Sequence, residues 1–225
     1  METTLDRVVA SDVVPGLPVR EFRVYKGRRH YSGWYWSATM GRLLVYESRL
    51  ELARILLADF DHTVVGIAPQ PFQLTGRDGS RTQRHVPDVL LVHTDGAVTV
   101  VDVKAASRMG DEKVVAQFAW TRELCRERGW RFEAWSGESG PRLENIRFLA
   151  GYRRPKMVDL ALIPRLLEAA HDQSTLGGLE QSMAEPVMAV RPVVLHMLWS
   201  GLLEADLNAW LGVDTRIWLP AWGMA

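Results

Sequence analysis

Residues 84–105, RHVPDVLLVHTDGAVTVVDVKA, hold two apolar runs, DVLLV and AVTVVDV, on either side of His93-Thr94-Asp95-Gly96. Turn residues between two such runs predict a β-hairpin. If the loop is Thr94-Asp95-Gly96, with glycine in the left-handed position, His93 opposes Ala97 and Asp88 opposes Asp102. Opposed side chains have Cβ atoms ~5 Å apart, so two carboxylates there are unfavourable unless positive charge lies between them. Period-two alternation places Lys104 on the face of Asp102 and turns Val101 and Val103 to the other side. A two-residue loop would set Asp88 against Val103, and the constellation would not form. Two carboxylates and a lysine on one sheet face suit a divalent cation, Mg²⁺ or Mn²⁺ in its place. Such an ion polarises a phosphoryl oxygen and acidifies bound water, while the lysine orients that water. The competing structural reading is an exposed aspartate and lysine at hairpin ends.

On the C-terminal side, 111–128 (DEKVVAQFAWTRELCRER) predicts a helix capped by Gly129, and Trp130–Trp135 returns as a strand. On the N-terminal side, apolar residues 46, 50, 53, 56, 57 and 60 form one helical stripe over Tyr46–Phe60, and HTVVGIAPQPFQL reads as a short strand broken by Pro69 and Pro71. Val19–Tyr25 and Tyr31–Ser37 read as strands around Lys26-Gly27-Arg28, after an irregular leader over 1–19. AVTVVDV is apolar on both faces, as in a central covered strand. Strands, helix and returning strand make an α/β core. From about 151–157 the pattern turns helical, with helices over 158–171, 175–183 and 185–199 and two short strands around Gly212. Helices followed by a hairpin is the order of a winged helix.

With 225 residues, 47% apolar, the chain can bury one sizeable core and hold a second small domain. No run approaches the roughly 18 apolar residues of a membrane span, so a cytoplasmic location is expected. The single cysteine, Cys125, excludes an intrachain disulfide and reads as a packed helix residue. Net charge is zero, but residues 1–155 carry 23 Lys+Arg against 19 Asp+Glu while 156–225 carry 4 against 8. DNA contacts are therefore expected in the first part. There, 20–42 interleaves six basic residues, among them Arg28, Arg29 and Arg42, with Tyr25, Tyr31, Trp34, Tyr35 and Trp36. Such a mixture suits phosphates and bases, or a hairpin with solvated arginines over an aromatic core.

The pattern PD…DxK at Pro87-Asp88 and Asp102-Val103-Lys104 resembles the PD-(D/E)xK nuclease superfamily. The order Gly41-Arg42, then Ser48-Arg49-Leu50-Glu51, Gln70-Pro71-Phe72, Pro87-Asp88 and Asp102-Val103-Lys104 resembles the TnsA endonuclease subunit of heteromeric transposases, over roughly 30–136. That resemblance implies a restriction-endonuclease-like mixed β-sheet flanked by helices, in a domain placed over 20–152, and the pattern of the tail sets a winged-helix-like module over 153–225. It implies Glu51, Asp88, Asp102 and Lys104 as catalytic residues, the three carboxylates holding Mg²⁺. Asp102 stands where a well-known TnsA subunit has glutamine, and follows the wider superfamily instead. Glu47, one helical turn before Glu51, is the rival carboxylate. Gln70 contacts the site or holds a backbone group; His85 is structural or a phosphate contact. Arg28, Arg29, Arg42 and Lys113 are the candidate DNA-binding residues, with Arg108 beside them. The implied activity is hydrolysis at the 5′ ends of a transposon, with double-stranded end DNA, a DDE-type TnsB-like transposase and a TnsC-like ATPase regulator as partners. A freestanding restriction or repair nuclease and a non-catalytic adaptor are the alternatives. The acidic 156–225 suits a protein partner better than DNA.

Overall fold

The computed structural model describes residues 3–19, 31–78 and 81–221. The chain divides into two compact units, Met1–Gly137 and Glu138–Ala225. The expected turn Lys26-Gly27-Arg28, most of the strand before it, and Arg28, Arg29 and Trp222 lie outside the described residues.

In the first unit the leader is not irregular. Leu5–Arg7 forms a 3-10 turn and Ala10–Val13 a short helix, α1. Ala10, Val13 and Val14 pack on the buried cluster Ala68, Leu90, Val98, Val100 and Cys125. Apolar burial outweighs the proline and glycine signals that mark this stretch as a loop. Two strands follow, β1 (Gly33–Ser37) and β2 (Arg42–Tyr46), joined through Gly41 at φ +59°. Tyr46 therefore ends a strand, and helix α2 spans Arg49–Phe60. Its start is a capping box: Ser48 Oγ accepts from Glu51 N (3.1 Å), and the Glu51 carboxylate reaches back to Glu47 N (2.8 Å).

The chain continues through β3 (Val64–Pro69) into a hairpin not anticipated from sequence, β4 (Leu74–Asp78) and β5 (Arg81–His85). Its composition, LTGRD and RTQRH, is too polar to read as strand. Then come β6 (Val89–His93), β7 (Val98–Val103), α3 (Glu112–Glu127) and β8 (Arg131–Trp135). The central sheet has the order β3-β6-β7-β8, antiparallel except for the parallel pair β7–β8. All six residues of β7 are buried, as its two-faced apolar pattern requires. The result is a mixed sheet flanked by helices.

The second unit contains α4 (Pro141–Leu149), α5 (Ile163–Ala169), α6 (Leu176–Gln181), α7 (Val187–Trp199) and the two-residue strands β9 (Glu204–Ala205) and β10 (Ile217–Trp218). The division falls before α4, earlier than the 152/153 boundary, because α4 packs on α7. Asn145 of α4 also donates to the carbonyls of Leu207 (2.8 Å) and Ala209 (2.7 Å). Among the described residues, no helix is long and apolar enough to cross a membrane.

Candidate active site

The hairpin register is the three-residue-loop one. Val92 pairs with Val98 and Val89 with Val101, so one further step sets Asp88 opposite Asp102. His93 N donates to Ala97 O and Gly96 N to His93 O (both 2.9 Å), with Gly96 at φ +80°. Lys104 follows β7 directly, its N–H continuing the parallel pairing to Trp135 O (2.9 Å).

Asp88 sits where these elements converge. Its Oδ2 accepts the Val103 N–H at 2.7 Å, and its backbone N donates to Val101 O at 3.1 Å. Burial pushes its carboxyl from the ordinary 3.8 up to about 7, and the negative charges of Glu51 and Asp102 push in the same direction. The Val103 N–H and the charge of Lys104 offset only part of that rise. The other three residues singled out in the sequence, Glu51, Asp102 and Lys104, thus act electrostatically on this one carboxylate.

The side chains are not, however, arranged as one ligand set. Glu51 is folded back on its own helix end, accepting from Glu47 N and from Ser48 Oγ (2.9 Å). Burial raises its pKa, and the charge of Glu47 adds to the rise. Asp102, 1% exposed, directs both oxygens at His85 Nε2, each at 2.8 Å. Among the described residues, no three His, Cys, Asp or Glu side chains group closely enough to hold a metal ion. The expectation that Glu51, Asp88 and Asp102 converge on one ion therefore meets a structure in which Glu51 and Asp102 have both carboxylate oxygens engaged by protein groups.

His85 Nδ1 faces Gln117 Nε2 of α3. With Asp102 accepting at Nε2, the proton lies on Nε2, and Nδ1 accepts from the amide. Gln117 was not legible in the sequence, because no spacing links a mid-helix glutamine to a strand aspartate. Gln70 lies beside Asp88: its N–H donates to Asp88 O at 2.9 Å, and its carbonyl accepts from Val19 N at 3.1 Å. It is the one non-glycine residue at positive φ (+46°) among those described, 3% exposed, and its buried Oε1 has no hydrogen-bond partner there. Both contacts are made by the Gln70 backbone and not by its side chain.

Arg42, a candidate DNA contact, is engaged within the first unit. Its guanidinium donates to the carbonyls of Val14, Pro15 and Gly16, tying the leader to β2. Lys113 is exposed in the first turn of α3, and Arg108 is paired with Asp111 at 3.0 Å. Cys125 is buried, its thiol pushed up to about 12 by burial and by the charge of Asp102, which fits a packing residue and not a nucleophile.

No curated protein matches the chain. Residues 61–136, from the end of α2 through β8, match the family model described as TnsA-like endonuclease N terminal. The matched segment carries Asp88, Asp102 and Lys104, so this part of the first unit is similar to a TnsA-like endonuclease domain.

Proposed function

We propose that this chain is the metal-dependent endonuclease subunit of a heteromeric transposase, hydrolysing phosphodiester bonds at the 5′ ends of the element beside a DDE-type transposase. The observation that carries the reading is Asp88: a carboxylate raised to about 7, with negative charge around it and a lysine two residues past its strand partner. Its Oδ1 accepts no hydrogen bond from the described residues, so one oxygen is available to a cation whose charge would relieve the repulsion. That oxygen fits Mg²⁺ or Mn²⁺, which Asp88 would hold with the negative charge of Glu51 nearby. When bound, the ion supplies Lewis-acid polarisation of a phosphoryl oxygen and an acidified water. Lys104, only partly exposed, orients that water or offsets charge developing on the phosphate. Lys113, and Arg28 and Arg29 before β1, are the candidate phosphate contacts.

The zero net charge suits a nuclease delivered to double-stranded transposon ends by a partner. The acidic stretch 156–225, winged-helix-like in its order of helices and short strand pair, is the proposed contact for a TnsB-like transposase or TnsC-like ATPase. Trp210, 68% exposed, is a candidate anchor.

The test is cleavage of transposon-end DNA in Mg²⁺ by this protein with the transposase encoded beside it. Wild type should make the 5′-strand cuts, and Asp88→Ala and Lys104→Ala should lose about 10³-fold in rate. Variants that cut like wild type would make the hairpin structural and the chain an adaptor. Cutting without any transposase would favour a freestanding nuclease.

A further inference from the structure

The His85–Asp102 contact closes a ring. On one side of it, His85 and Asp88 are joined by Val86 and Pro87; on the other, Asp102 and Val103 are consecutive in β7. Asp102 accepts from His85 through both oxygens at 2.8 Å, and Asp88 accepts from Val103 N at 2.7 Å. The short, proline-containing link between His85 and Asp88 is therefore pinned at both ends to adjacent residues of the most buried strand. Gln117 holds the far side of the imidazole. The β4–β5 hairpin that delivers His85 has no strand pairing with the central sheet among the described residues. It is seated instead by this contact and by Gly76, where an added Cβ would come within 3.0 Å of the Trp120 ring.

We propose that Asp102 is a positioning residue, held by His85 and Gln117, that sets the place of the Asp88 carboxylate and does not itself ligate the cation. The inference rests on the metal-site reading of Asp88. The two Asp102 oxygens share one imidazole N–H in a position that solvent scarcely reaches, so an ion coordinated there would compete with the contact that places Asp88.

The experiment is Mn²⁺ binding to the full-length protein, followed by electron paramagnetic resonance at low temperature, with folding checked by circular dichroism. Asp88→Asn should lose about 100-fold in affinity. His85→Ala should lose about 10-fold, the usual scale for a residue supporting a ligand, while His85→Gln and Asp102→Asn, each keeping one hydrogen bond of the pair, should stay within about 3-fold of wild type. Asp102→Asn falling as far as Asp88→Asn would overturn the proposal. So would tighter Mn²⁺ binding by His85→Ala, which would mark Asp102 as a ligand held in check, or unchanged binding by a folded His85→Ala. Full Mn²⁺ affinity in Asp88→Asn would instead remove the metal-site reading, and the inference with it.

Discussion

Asp59 and Asp88 are carboxylates of the first unit, the one buried and the other half-buried, and they are treated in opposite ways. Asp59, at the end of α2, is 4% exposed and accepts from Tyr35 Oη (2.7 Å), Ser37 Oγ, Ala38 N (2.9 Å) and Thr39 N (2.8 Å). Those four donors join β1 and its turn to the helix. Asp88 has one backbone donor and two neighbouring negative charges. A carboxylate given its full complement of donors holds a fold together, whereas one left short keeps a demand for positive charge that a ligand can meet.

The same isosteric change at the two positions should therefore have opposite signs. Asp59→Asn puts an amide N–H₂ against two donors and should destabilise the first unit by about 3–5 kcal/mol in urea unfolding. A loss below ~1 kcal/mol would remove the contrast. Asp88→Asn should stabilise the metal-free protein. Asp88 binds its proton more tightly folded (about 7) than unfolded (about 3.8), so the wild type loses stability as pH rises from 3.8 and levels off above 7. The advantage of the variant should thus grow from pH 5 to pH 8 in chelator, under a ceiling of ~4 kcal/mol. A melting difference that is flat with pH would mean that Asp88 is not held protonated.

Smaller effects sharpen the comparison. Glu133 on β8 is gripped by both ends of the Arg54 guanidinium from α2, at 3.0 and 2.7 Å, and belongs with Asp59 as a satisfied carboxylate. Arg54→Met should cost about 1–2 kcal/mol, because it leaves a partly buried charge unpaired. Arg108→Ala, at an exposed pair with Asp111, should change stability by less than ~0.5 kcal/mol, and by less again at high salt.

The hairpin was legible in advance because its information is local. A glycine at the left-handed position and two apolar runs of fixed length set the loop, and the loop sets the register. α3 and its Gly129 cap were legible for the same reason. β2, the β4–β5 hairpin and α4 were not. Tyr46 continues a helical stripe in sequence yet pairs with Gly33 across a strand ladder, and α4 shows its allegiance only where Asn145 meets a loop more than sixty residues away. Charge and aromatic spacing around Arg42 could not reveal that three leader carbonyls accept from its guanidinium.

By itself the sequence determined which residues stand opposite one another at the end of the hairpin, since side-chain alternation and turn geometry act over a few residues. The tertiary structure decided what each of them does. Asp102 turns to a histidine on another hairpin, Glu51 to its own helix end, and of the three only Asp88 keeps an oxygen without a donor among the described residues. A carboxylate's role follows from the donors and charges that distant segments bring to it, and no spacing along the chain encodes them.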